Sequence, residues 1–373
     1  MLGAARRLAD DLLAPAAEAT DQAPVVPPSH LRALADAGLY GLSGPVDAGG
    51  AAAPAAVSRL VYEALAGACG VTFFVWVQHH APVRMLAASA NTALRERWLP
   101  ALCRGEVLGG VAFAYLRRPG PPAVAARPAG GGWVVDGEAP WVTSWGLAGV
   151  YAVAAAAGDD VVFFAVPADP PPPAVRASPP LPLAAMAASA TVRLAFDGLF
   201  VPATDVIATV PLAEWRARDR LATAQPHPAP LGVAARAGRL LSERARDTEQ
   251  TAVGAAAASL ATELDACREH AYGLVADDGH DAGRRGPKAE AGLRGPNAEA
   301  GLARLVQARA WGLDLASRAA SALVAATGGG AMALSHPGQR LVREAAFYSI
   351  QAQSPELRQA TIDRLTRAQG ARS

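Results

Sequence analysis

The chain has 373 residues, 51% of them apolar and 18% charged, with a formal net charge of +1. That length buries a core large enough for two or three subdomains, and so even a charge balance argues against nucleic acid or an anionic membrane as the main partner. The three cysteines, Cys69, Cys103 and Cys267, are far apart and odd in number, which argues against a disulfide framework or a metal spacing and suits a reducing cytoplasm.

The first residues carry Arg6, Arg7, Asp10 and Asp11 without a long apolar run, unlike a signal peptide. No stretch reaches the ~18 charge-free apolar residues of a membrane span. Residues 1–108 read as a helical domain. Leu31 to Ala37 has a helical apolar stripe that stops at Gly38, and Val57 to Ala68 and Ala93 to Leu102 repeat the pattern. Pro45 and Gly49-Gly50 mark a loop between them.

Residues 109–208 change character. Short β-branched and aromatic runs (Val111 to Phe113, Trp133 to Val135, Val150 to Val153, Val161 to Val166, Val192 to Phe196) alternate with Gly and Pro clusters, the pattern of a small β-barrel. Residues 209–373 return to helix, with long segments over Leu231 to Ala245, Thr251 to Val275, Ala300 to Ala326, Gly338 to Ile350 and Pro355 to Arg367 that predict an antiparallel bundle. Within it, Arg285 to Leu293 (RGPKAEAGL) is followed at once by Arg294 to Leu302 (RGPNAEAGL). Two copies this short cannot stack as a solenoid, so the unit reads as a duplication in a solvated inter-helix loop. A basic arm of Arg284, Arg285, Lys288 and Arg294 for a phosphate-bearing ligand is the sharper reading.

In the middle of the chain stands Trp141-Val142-Thr143-Ser144, closing a strand-like stretch that begins at Gly132. A flat aromatic next to a hydroxyl suits an isoalloxazine ring: the indole covers a face and the hydroxyl hydrogen-bonds the edge. His79-His80 point to different faces and give no metal spacing, so they read as a helix end near a site mouth, with His79 available to a substrate. Gly328-Gly329-Gly330 lacks the following Lys-Ser/Thr of a phosphate loop. No metal site is expected.

Helices, barrel, bundle, in that order, resemble acyl-CoA dehydrogenases. Five pieces carry the resemblance: Leu34 to Gly50, Arg95 to Leu102 with Gly105-Glu106, Trp141 to Ser144, Ser189-x-Thr191 through Val201-Pro202, and Gly328 to Gly330 followed by Arg340 to Ala345. The resemblance implies a mainly α fold with a central β domain: an N-terminal helical domain, a middle β-barrel and a C-terminal four-helix bundle. It implies FAD, with Trp141 on the ring, Thr143 near N5, and Ser144 and the backbone of Tyr115 and Leu116 alongside. It implies oxidation of an acyl thioester, carried by CoA or an acyl-carrier protein, and a homodimer or homotetramer.

The departures are chemical. The family's reaction needs a carboxylate to take the α-proton, which a neutral side chain cannot do. Counting back from Ile362-Asp363-Arg364, the usual Glu becomes Ala352. Some members place the base on an earlier bundle helix before Arg-Leu, and Asp219-Arg220-Leu221 stands there. Asp219 is the candidate base, its bland counterpart a helix-end carboxylate paired with Arg216 or Arg220. Glu356 reads as a helix cap. Arg117 and Arg118 replace the family's acid, placing Arg117 as a substrate or pyrophosphate contact or, blandly, at a solvated rim. The clamp on the adenine half of FAD has no match near Ser242 to Gln250, and Ala325 or Ala326 replaces its Gln. Two further readings follow: a flavin monooxygenase of the same fold, which needs no α-carbon base, and a catalytically degenerate partner subunit in a hetero-oligomer.

Overall fold

The computed structural model describes residues 1–276 and 296–367. The RGPKAEAGL copy and the basic arm lie outside the described residues. Among those described, the chain opens with helices α1 (Leu2–Leu8), α2 (Ala17–Asp21), α3 (Pro28–Asp36), α4 (Ala55–Ala68), α5 (Gly70–Gln78), α6 (His80–Ala87) and α7 (Thr92–Arg104). Gly38, with φ +71°, follows the end of α3 as the apolar stripe predicts, and Asn91 Oδ1 caps α7 by accepting from Leu94 N–H. The sequence placed a helix end at His79-His80, where α5 does give way to α6, but not the extent of either helix. Val71 to Trp76 is buried all round, so it has no polar face to reveal a helical period.

The expected β-barrel domain is one eight-stranded mixed sheet. Its strands are β1 (Gly109–Ala112), β2 (Val124–Ala129), β3 (Gly132–Val142), β4 (Val150–Ala157), β5 (Asp160–Pro167), β6 (Val175–Ala177), β7 (Val192–Pro202) and β8 (Val206–Pro211). Hydrogen bonding runs β6-β7-β3-β2-β4-β5-β8, with β1 parallel on β4. The β4–β5 hairpin turns on Gly158-Asp159 with Gly158 at φ +64°, the left-handed conformation a tight hairpin demands. Both strands are buried on both faces, which explains why their sequences are continuous apolar runs.

The C-terminal half is α8 (Leu212–Ala224), α9 (Pro228–Asp247), α10 (Thr251–Ala276), α11 (Pro296–Thr327), α12 (Pro337–Tyr348) and α13 (Pro355–Thr366). Helix α9 packs on α4, α10 and α11, while α12 and α13 pack on α11. The crossing of α4 and α9 is backbone on backbone. A Cβ on Gly232 would meet the Glu63 carbonyl oxygen at 2.2 Å, and one on Gly67 would meet the Gly232 oxygen at 2.5 Å. No described helix is long and apolar enough to cross a membrane.

Candidate active site

Strand β3 runs antiparallel to β7, and its register slips between Ala139 and Val142. Pro140 cannot donate to the ladder, and the irregularity falls there. Trp141 takes φ +61°, a left-handed conformation costing about 1 kcal/mol for a residue with a Cβ. The slip turns the indole outward, leaving it 52% exposed. Strain held for an exposed aromatic points to function rather than packing.

Directly after it, Thr143 and Ser144 return to the interior. Ser144 N–H donates to the Ser189 carbonyl at 2.9 Å, and the Thr143 and Thr191 hydroxyls lie 3.3 Å apart. Ser189 Oγ and Thr191 Oγ1, 2.7 Å apart, extend the chain of hydroxyls. Ser144 Oγ is buried with no partner among the described residues. Sequence reading singled out Trp141, Thr143 and Ser144 but not the hydroxyl contacts of Ser189 and Thr191, a Ser-x-Thr that precedes β7. An exposed aromatic followed within three residues by an unpaired buried hydroxyl is a combination that the ring end of a flavin would use. Gly328 to Gly330 and Met332, at the end of α11, are exposed and uncharged.

Tyr115 and Leu116 sit in a 3₁₀ turn over Ala114–Arg117, packed on β3. The Tyr115 hydroxyl donates to the Ala154 carbonyl, and burial raises its pKa. Leu116 N–H donates to Phe113 and the Tyr115 carbonyl accepts from Arg118 at 3.0 Å, so half of the backbone groups expected for a cofactor serve the turn instead.

The turn aims Arg117 at α8. Its Nε and Nη2 donate to the two carboxylate oxygens of Asp219, each at 2.7 Å. The side chains are 27% and 15% exposed. The two residues singled out for separate roles are therefore a bidentate pair joining sheet to bundle. Neither bland alternative for Asp219 holds: Arg220 pairs with Glu299 and Glu356, and Asp219 with Arg117. Glu356 stands in the first turn of α13, but the capping side chain is Ser354, which accepts from Leu357 N–H.

Beneath the pair lies Arg309 of α11, which sequence reading missed. Its one signal was a lone cation among Ala308, Ala310 and Leu313. It is 4% exposed. Nη1 donates to the Thr223 carbonyl and Nη2 to the Gln351 carbonyl at 2.9 Å, while Nε has no partner among the described residues. Burial pushes its pKa down to about 10, and the Arg117 guanidinium adds to the push. Thr223 is one turn beyond Asp219 and its Oγ1 donates back to the Asp219 carbonyl at 2.8 Å. Gln351 precedes Ala352, which takes φ +47°. One buried cation thus spans both positions where a base was expected.

His79 corrects a sequence expectation. It is fully buried, with Nε2 donating to the Tyr40 carbonyl at 3.2 Å and Nδ1 accepting from Gly109 N–H at 2.9 Å. Burial takes its pKa down to about 3, so it is a neutral bridge from the helices to β1 with no nitrogen left for a substrate. No metal-ligating group is present among the described residues.

Residues 1–106 match the family described as acyl-CoA dehydrogenase, N-terminal domain. Benzylmalonyl-CoA dehydrogenase of Aromatoleum aromaticum is 27% identical over 200 residues, 52% of this chain and 53% of that protein, so the match spans about half of the curated relative's length. Butyryl-CoA dehydrogenase from Megasphaera elsdenii superposes with a TM-score of 0.78 at 18% identity, covering 98% of this chain and 97% of that one. Dibenzothiophene monooxygenase from Paenibacillus sp. A11-2 gives 0.78 at 17% identity, covering 98% and 95%. At these identities the two structures show the fold.

Proposed function

Because the chain belongs to the acyl-CoA dehydrogenase superfamily, we propose that it is a flavin-dependent oxidoreductase acting between Cα and Cβ of an acyl thioester. The carrier is coenzyme A or an acyl-carrier protein. The observation that carries the reading is Trp141, held in a strained conformation with its indole half exposed, three residues before the buried, unpaired Ser144 hydroxyl. Trp141 would cover one face of the ring, Thr143 and Ser144 would hydrogen-bond its edge, and the Tyr115–Leu116 turn would flank it. Bound FAD would supply the acceptor for the hydride leaving Cβ. Asp219 would take the α-proton on a carboxylate lone pair that Arg117 does not use, since an ionised carboxylate accepts about four hydrogen bonds. The reading includes association as a homodimer or homotetramer, which light scattering checks.

The test is anaerobic titration of FAD-loaded protein with an acyl thioester, following flavin absorbance. Reduction by the wild type and none by Asp219→Asn is the expected result. Unchanged reduction in the variant sinks the role of Asp219, and a protein that takes up no FAD sinks the reading.

One pair of observations favours a second reaction on the same fold. Ala352 offers no carboxylate, and Arg117 occupies both oxygens of Asp219. A monooxygenase using reduced flavin and oxygen needs no α-carbon base. Oxygen uptake that depends on supplied reduced flavin, with no reduction by thioesters, selects it.

A further inference from the structure

We infer that the cavity between α1, α4, α9 and α10 is a second ligand site, sharing no residue with the Trp141 site. Its ligand is a carboxylate amphiphile: one negative head on an apolar chain.

The first support is size and lining. The cavity holds about 580 Å³, inside the range of small-molecule sites. Ala64 and Gly67 of α4 and Gly232 and Ala235 of α9 form its floor, and Leu260 and Leu264 of α10 form a side. The hollow exists because each floor position carries a methyl group or nothing. The main chains of α4 and α9 touch at Gly67 and Gly232, and no side chain fills the space beside them. Left open, that floor is apolar surface facing water, and an alkyl chain laid on it is stabilised by removing both surfaces from water. A partner's helix is too large: at a diameter of 10 Å, this volume holds about five helical residues.

The second support is the charge on the rim. Two of the lining carboxylates are already answered by residues outside the cavity. Glu63 accepts from Arg268 and Tyr272, Asp265 accepts from Arg268, and Arg59 lies over the Tyr272 ring. That leaves Asp10 and Glu243 to answer three lining guanidiniums, Arg6, Arg239 and Arg246. Asp10 reaches Arg239 only at 3.8 Å, and Arg6, Arg246 and Glu243 make no ion pair among the described residues. Glu243 is also shared with Arg236, whose pKa burial and the Arg239 charge lower despite it. Arg239 and Arg246 stand two turns apart on one face of α9, so both edge the same trough. This end of the cavity is short of one negative charge. A guanidinium fork takes carboxylate or phosphate, but a phosphate monoester brings nearly two charges and a carboxylate brings one.

The test is isothermal titration of the full chain with octanoate, 1-octanol, octylammonium and octyl phosphate, four heads on one alkyl chain. Octanoate is expected to bind about 10-fold more tightly than octanol, the lower end of the range for a hydrogen-bonded charge because the rim is exposed. Arg239→Gln brings octanoate down to the affinity of octanol. Ala235→Leu fills the floor and abolishes binding of both. Ala261→Leu, which enters the cavity from the exposed side of α10, does the same and serves if the first variant melts early. Octanoate binding that survives both filled variants lies elsewhere and overturns the inference. Equal affinity for octylammonium, or no saturable heat with octanoate, overturns it as well. Octyl phosphate bound about 10-fold more tightly than octanoate overturns the carboxylate assignment.

Discussion

The guanidinium of Arg309 holds the carbonyl of Gln351 at 2.9 Å, immediately before Ala352. A cation from another helix therefore helps to hold the shape of this loop. Gln353 adds one local bond, Nε2 to the Ser349 carbonyl at 2.8 Å.

Replacing Arg309 by Met retains the volume and removes both carbonyl contacts. The expected loss is about 1–3 kcal/mol, because two buried acceptors go unpaired while a buried charge is also removed. The amides of Ile350 and Gln351, which now donate to Phe347, should exchange faster. Hydrogen exchange by mass spectrometry checks this, and unchanged protection there means that the loop holds itself.

Trp141→Gly separates strain from binding. Glycine accepts φ +61° without penalty, and the indole is half exposed, so the cofactor-free protein should be as stable or up to about 1 kcal/mol more stable. FAD affinity should fall by about 10-fold or more with the loss of ring stacking. Thermal melts and flavin titration read the two effects. A fall in both shows that Trp141 serves the sheet.

What the sequence made legible follows from which residues report on themselves. Trp141 to Ser144 could be read because an aromatic beside two hydroxyls at a strand end has few structural uses. The long helices α9 to α11 could be read from their periodicity. Helix α5 showed only its end, at His79-His80, since apolar residues on every side erase the period. Strands β2 and β6 escaped because Ala, Pro and Arg interrupt them. The Arg117–Asp219 pair spans 102 positions, a separation on which local pattern is silent. Arg309 looked like any helix-surface cation until its neighbours were placed around it.

Buried histidines set the acid limit of stability. Burial lowers His79 and His227 to about 3 from 6.5, and lowers His80 well below 6.5. Each is neutral when folded and takes a proton more readily when unfolded. Stability is therefore complete above about pH 6.5 and is lost as pH falls toward 3, by about 1.4 kcal/mol per pH unit for each histidine. Denaturant melts between pH 6.5 and 4 measure the slope. His79→Gln, which keeps a donor and an acceptor, should reduce the slope by one histidine's share.

Gly232→Ala should cost more than about 2 kcal/mol, because the new methyl meets backbone that cannot turn aside. Urea unfolding checks it. A loss below about 1 kcal/mol shows that α4 and α9 can separate freely.

That crossing also fixes where the molecule can breathe. Two helices that touch through their main chains have no soft side chains between them to shear, so α4 and α9 move as one rigid strut. The cavity beside that strut, lined by Gly67, Gly232 and Leu264, therefore keeps one unyielding wall.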